Sequence, residues 1–273
     1  MLIWAGLAVW LMGAGQGLCE SEYRAESFRL ERKDGSSREY RYLVLEPLER
    51  EEGKTYPVVL FLHGAGERGD DPRLLEKHFL DRIVESPVRE RFPCYVIAPQ
   101  CPKDDMWSRT IWSNRESSEQ AKEPTEALAA AWAIFQKEIE RLPAVDPSRL
   151  YLTGLSMGGF GSWELAARHP ETFAAVVPIC GGGDERQAER LINVPIWAFH
   201  GAKDEVVPVE RTRSMIAAIR KAGGEPLYTE FPEEGHSSWK PAYQDPDRAI
   251  GWMFAQKRGT PMKKPANKVG GDH

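Results

Sequence analysis

Apolar runs and helical stripes alternate along most of this chain. "SFRLERKDG" and "REYRYLVLEP" alternate polar with apolar positions and face each other across Asp34-Gly35, the pattern of an antiparallel pair. "YPVVLFLHG" and "CYVIAPQ" are unbroken apolar, β-branched runs, which fits strands buried on both faces. Residues 124–142, "PTEALAAAWAIFQKEIERL", carry helical spacing, with Pro124 near the start and Pro143 as a stop. There follow a strand "RLYLT", a helix over 157–168, strands "FAAVVPIC" and "VPIWAFHG", a helix over 208–221, a strand "PLYTEFP" and a helix over 246–256. Strands alternating with helices predict an α/β fold: a mostly parallel sheet with helices on both faces, joined by right-handed crossovers and edged by the antiparallel N-terminal strands.

Both ends depart from that pattern. Residues 1–18, "MLIWAGLAVWLMGAGQGL", carry no charge. The run is short for a membrane span of about 20 apolar residues. It has the apolar core of a secretory signal, although the usual positive start is missing. Residues 1–19 are therefore expected to be a signal peptide cut near Gly17 to Cys19, with a retained N-terminal anchor as the alternative. Either way the rest is exported, to the periplasm or beyond. "QGLC" lacks the small residues of a lipid-attachment box at Cys19. Residues 20–257 read as one catalytic domain. Residues 258–273 show no periodicity and are expected to be a disordered tail.

Composition narrows the function classes. The 273 residues are 41% apolar and 28% charged, enough apolar material for one sizeable core. The net charge of −5 and the absence of a basic block exclude an extended nucleic-acid surface. Cys94, Cys101 and Cys180 lack metal-ligand spacing and read as small buried residues. No metal or cofactor is expected. A Cys94–Cys101 bridge is an open alternative in an oxidising compartment.

The chemistry gathers where strands end. Gly154-Leu155-Ser156-Met157-Gly158 matches G-x-S-x-G and falls between a predicted strand and a predicted helix, the context a nucleophile elbow needs. The same glycines would also suit an ordinary tight turn with Ser156 as a helix cap. A serine hydroxyl needs a base to take its proton. Catalytic groups in this fold class gather past the carboxyl ends of strands. His236 lies there, in "EFPEEGHSSW", and Asp204 does in "WAFHGAKDEVVP". Asp204 would fix the tautomer of His236 and stabilise its charged form. Glu205 is the adjacent rival and Asp184 a more distant one. Of the other histidines, His169 reads as a helix-end residue, His200 as strand packing, and His63 as support for its loop. The two amides needed by a tetrahedral oxyanion would come from Met157, at the helix start, and Ala65, in "HGAGERGDD".

Four stretches carry a resemblance: "LHGAGERGDD", "GLSMGGFG", "HGAKDEVVP" and "EEGHSSW". Over roughly Arg38 to Lys257 the chain resembles the secreted carboxylesterase branch of the α/β-hydrolase superfamily. Its neighbours there are polyhydroxybutyrate depolymerase-like proteins, feruloyl and acetylxylan esterases, and phospholipase/carboxylesterase-like proteins. The resemblance implies Ser156 as nucleophile, Asp204 as acid, His236 as base, and Ala65 and Met157 as oxyanion donors. The loop reads HGAG where many lipases carry HGGG, which weighs against bulky tertiary-alcohol esters. No long lid insertion is apparent.

The implied activity is hydrolysis of carboxylic esters through an acyl-enzyme, on small-molecule or polysaccharide-linked substrates. Two rivals stand beside it. One is a prolyl-oligopeptidase-like peptidase, against which the short segment before "YPVVLFLHG" counts. The other is a non-catalytic binding protein on the same fold. Trp107 and Trp112, in "DDMWSRTIWSN", and Trp239, just past His236, are candidates to line the pocket mouth, alongside Arg68. Flat aromatic walls suit a sugar ring or a phenolic acyl group. Each tryptophan could equally pack its loop onto the sheet.

Overall fold

The computed structural model describes residues 22–265. Residues 1–21, with the expected signal and its cleavage site, lie outside them, as do residues 266–273. Eight strands form one sheet: β1 (Arg24–Glu31), β2 (Ser37–Leu45), β3 (Tyr56–Leu62), β4 (Tyr95–Pro99), β5 (Val145–Leu155), β6 (Ala175–Ile179), β7 (Trp197–Gly201) and β8 (Leu227–Phe231). Their spatial order is β1-β2-β4-β3-β5-β6-β7-β8. The β1–β2 and β2–β4 pairings are antiparallel and all others are parallel. The expected α/β architecture, with an antiparallel N-terminal edge, is the one found.

Burial explains the strand sequences. All seven residues of β3 are buried, because helices cover both faces of the sheet there. Val58, Leu60 and Leu62 face one core. On that side lie α3 (Glu126–Arg141), α4 (Met157–Arg168) and α5 (Glu210–Lys221). Val59 and Phe61 face the other. That side is covered by α1 (Phe79–Ile83), α2 (Ser86–Arg91), α6 (Trp239–Gln244) and α7 (Ala249–Ala255). The β1–β2 turn sits where Asp34-Gly35 placed it, with Gly35 at φ 82°.

Several local readings change. The helix expected over 246–256 is found as α7, which starts at Ala249, with the Pro246 carbonyl accepting the Gly251 N–H; the six-residue α6 before Asp245-Pro246 was not expected. The helices α1 and α2 are too short, at five and six residues, to show periodicity in the sequence. Residues 258–265 fall in the expected tail but dock on the body. The Gln256 side chain brackets the Lys263 backbone, and the Arg258 N–H bonds the Ser148 carbonyl. The Cys94–Cys101 alternative fails: both thiols are free and buried, and they pack on opposite faces of the sheet with β4 between them.

Candidate active site

Strands β3, β5, β7 and β8 run in one direction, so their carboxyl ends open onto one edge of the sheet. Ser156 follows β5 directly, Asp204 lies in the loop after β7, and His236 in the loop after β8. Chain order and sheet topology together bring three sequence-distant side chains to that edge.

The elbow is held by contact as much as by conformation. Ser156 sits at φ 53°, ψ −118°, which an L-residue tolerates only when its surroundings enforce it. A Cβ on Gly158 would lie 1.8 Å from the Leu62 carbonyl oxygen, and one on Gly154 would lie 2.5 Å from the Gly158 carbonyl oxygen. Strand β3, the turn and the first turn of α4 are therefore pressed together. The Ser156 N–H donates to the Ile179 carbonyl at 2.9 Å, and Cys180 Sγ lies 3.3 Å from it.

Ser156 Oγ lies 2.9 Å from His236 Nε2, and His236 Nδ1 lies 2.8 Å from Asp204 Oδ2. Asp204 Oδ1 accepts the Val206 and Val207 N–H groups, each at 2.9 Å. The Asp204 side chain is fully buried while that of His236 is 22% exposed. Burial alone would raise the Asp204 carboxyl. Hydrogen bonds from His200, His236 and the Val207 amide outweigh it and hold the carboxyl well below the usual carboxylate range. Asp204 stays ionised, the form that orients an imidazole through Nδ1–H and supports its charged state.

The two amides expected to bind an oxyanion lie on turns at the elbow. Met157 opens α4, so its N–H has no preceding helical turn to bond. Ala65 opens a single 3₁₀ turn, Ala65–Glu67. That turn lies against the elbow, since a Cβ on Gly64 would stand 2.9 Å from Leu155 Cδ1. His63, fully buried, shapes the loop: its Nδ1 contacts the Gly64 carbonyl at 2.6 Å, and its Nε2 accepts the Cys101 N–H at 2.9 Å.

The candidates for lining the mouth separate. Trp107 is fully buried and donates Nε1–H to the His63 carbonyl at 3.0 Å, so it packs its loop and does not line the mouth. It packs in the core against α4: a Cβ on Gly161 would meet Trp107 Cβ at 2.6 Å. Arg68 is held by protein carbonyls: its Nε bonds Ala65 O at 3.1 Å and its Nη1 bonds Asp105 O at 3.3 Å. It braces the Ala65 turn. Trp112 is half-buried and packs against the core on the α3–α4–α5 side. Trp239 stands edge-on to His236, ring centroids 5.4 Å apart, and edge-on to His78 at 5.3 Å. The rival acid Asp184 caps a 3₁₀ turn and bonds Arg186 and the Gln120 N–H.

Two neighbours were not legible as site residues. Cys180 lies at φ 41° beneath the relay, and burial pushes its thiol up. Its Sγ shares a cluster of ligand-type atoms with Asp204 and His236. The two partners are already bonded to each other and a protonated thiol is a poor ligand, so the donor set does not favour a metal. His200, read as strand packing, has Nε2 3.2 Å from Asp204 Oδ2. The His-x-x-x-Asp spacing in "HGAKD" was the available signal.

Comparison with known proteins agrees with the fold. A solved structure described as a thermostable esterase superposes with a TM-score of 0.76 at 35% identity, over 87% of this chain and 64% of that one. A rice (Oryza sativa subsp. japonica) protein named a probable carboxylesterase is 24% identical over 234 residues, 78% of this chain and 95% of its own length. A Salmonella typhimurium protein, provisionally named a carboxymethylenebutenolidase, is 28% identical over 131 residues, which cover 42% of this chain and 48% of that one. The chain thus spans about half the length of the first curated relatives it matches. The model of the dienelactone hydrolase family matches residues 96–250, more than half of the chain. On this match and the α/β-hydrolase architecture, the chain belongs to the dienelactone hydrolase family.

Proposed function

We propose that this protein hydrolyses carboxylic esters through an acyl-enzyme on Ser156. The observation that carries the reading is the unbroken relay from Ser156 Oγ through His236 to a buried, ionised Asp204. The similar thermostable esterase structure and the carboxylesterase name of the rice protein support the same reaction class.

The chemistry follows from the relay. His236 Nε2 takes the proton as Ser156 Oγ attacks the ester carbonyl carbon. The carbonyl oxygen becomes an oxyanion, bonded by the amides of Ala65 and Met157. The C–O bond to the alcohol then breaks, and His236 returns the proton to the departing oxygen. Water enters, His236 takes its proton, and the second tetrahedral adduct collapses to release the acid and restore Ser156. Asp204 holds His236 by Nδ1 throughout. Removal of one oxyanion donor in such a site costs on the order of 10²-fold or more in rate.

The substrate class proposed is short-chain or aromatic acyl esters, with a carbohydrate as the alcohol. Its support is narrower than the sequence suggested, because Trp107 belongs to the core. It rests on Trp239 beside His236 and on half-buried Trp112. Export is proposed on the uncharged N-terminal run, which N-terminal sequencing of the native protein would test. Among the described residues no helix is long and apolar enough to cross a membrane. The substrate test is kcat/KM on acetyl, feruloyl and palmitoyl esters side by side. The acetyl or feruloyl ester should lead; a clear palmitoyl preference would overturn the substrate class while leaving the ester chemistry intact.

A further inference from the structure

Asp204 is met by two histidines. His236 reaches Oδ2 from the solvent side, and His200 reaches the same oxygen from the protein interior, with Nε2 at 3.2 Å. His200 lies on β7 and is fully buried. Its Nε2 also faces the Val207 carbonyl, at 3.0 Å. Both groups facing Nε2 are acceptors, so the proton sits on Nε2 in either ring state. The ring is fixed at its other end. Nδ1 lies 2.7 Å from Thr212 Oγ1 on α5, whose single proton can serve either Nδ1 or the Gly181 carbonyl, also 2.7 Å away. Thr212 is itself buried.

A fully buried imidazole with both nitrogens engaged and one aimed at a triad carboxylate is not filling space. We infer that His200 is a positioning residue: its Nε2–H fixes the Oδ2 lone pair that is left after His236 and moderates the charge Asp204 presents to His236. The inference rests on the reading of Ser156, Asp204 and His236 as the working triad. The chain of contact runs Thr212, His200, Asp204, His236, Ser156, so α5 is coupled to the nucleophile through three hydrogen bonds and one longer N–H···O contact.

The sign of the effect can be worked out. Asp204 Oδ1 stays anchored by the Val206 and Val207 amides when His200 is removed, so the carboxylate keeps its place. Oδ2 then concentrates its charge on His236 alone. That favours the imidazolium, and the acid limb of kcat/KM moves to higher pH. The other charged groups around His200 leave this sign alone. Glu230 on β8 pairs with His200 in the sheet register, but its carboxylate is bonded by Arg213 and Tyr228.

The test uses His200→Leu, His200→Gln and Thr212→Val, with Ser156→Ala as the reference for the triad. His200→Leu removes the donor, whereas His200→Gln offers an amide N–H at a similar reach. His200→Leu should lower kcat on the order of tenfold or more with KM little changed, and should shift the acid limb up by roughly half a pH unit. His200→Gln should restore most of the limb position. Thr212→Val, which loosens the ring without deleting it, should shift the limb in the same direction by less. Should His200→Leu fail to fold, Thr212→Val and His200→Gln still carry the comparison. A limb that stays in place or moves down in the folded variants, with Ser156→Ala inactive, overturns the role of His200. Full turnover in Ser156→Ala overturns the triad reading instead.

Discussion

Acidification from pH 7.5 to pH 5 should destabilise the fold through one buried ring, His63. Neutral His63 is built into the Ala65 loop: Nδ1 contacts the Gly64 carbonyl, and Nε2 accepts the Cys101 N–H. A proton on Nε2 would break that second bond and leave a charge where nothing is exposed. Burial accordingly pushes the ring down from 6.5 to about 4, against a smaller opposing pull from the Gly64 carbonyl. The folded state binds this proton less readily than the unfolded one. The stabilisation is therefore complete above 6.5 and is lost as pH falls toward 4. With these two values, linkage gives a loss of about 2 kcal/mol between pH 7.5 and pH 5. His169, also pushed down by burial and by Arg168 and Arg190, contributes with the same sign. The assay is urea unfolding at the two pH values for the native chain and for His63→Gln, which cannot titrate. Subtracting the variant isolates the ring from every other group. Equal losses in both proteins would refute the assignment of the acid sensitivity to His63.

The elbow and the relay give further expectations. Gly158→Ala should cost about 3 kcal/mol or more in urea unfolding, because its Cβ would meet a backbone oxygen at 1.8 Å and cannot be relieved by a side-chain rotation. Gly66→Ala, with nothing within 4 Å of the added carbon, should change stability by less than about 0.5 kcal/mol. Asp204→Asn should lower kcat by about 10⁴-fold through loss of the tautomer, read in steady-state kinetics, with Asp184→Asn nearly silent. Because Asp204 stays ionised well into acid, turnover should fall on acidification through the histidine range, roughly pH 5 to 8; a flat kcat/KM profile there would count against His236 as base.

The candidate site was legible where chemistry coincides with strand ends. Ser156, Asp204 and His236 each stand just past a recognisable apolar run, and parallel topology does the rest by placing those ends together. What stayed hidden depends on contacts between loops. Trp107 lies in a polar stretch, "DDMWSRT", that reads as surface, yet Gly161 on α4 leaves room for the ring to sink into the core. Arg68 looked free for a substrate, but the curl of the 3₁₀ turn brings the Ala65 carbonyl within its reach. His200 occupies a strand position where burial is expected of any residue. Its second partner depends on how the loop after β7 folds back, and no periodicity encodes that. The short helices α1, α2 and α6 escaped for lack of length.

The central claim is that Ser156 is the nucleophile of an ester hydrolase, and covalent labelling tests it most directly. The native chain, treated with a fluorophosphonate and digested, should carry one phosphonyl adduct on the peptide holding Ser156, with ester turnover lost in step. Ser156→Ala should take no label and retain on the order of 10⁻⁶ of kcat. A native chain that resists labelling and hydrolyses no ester would return the reading of a binding protein on the same fold. A Ser156→Ala variant that labels and turns over like the native chain would contradict the account outright.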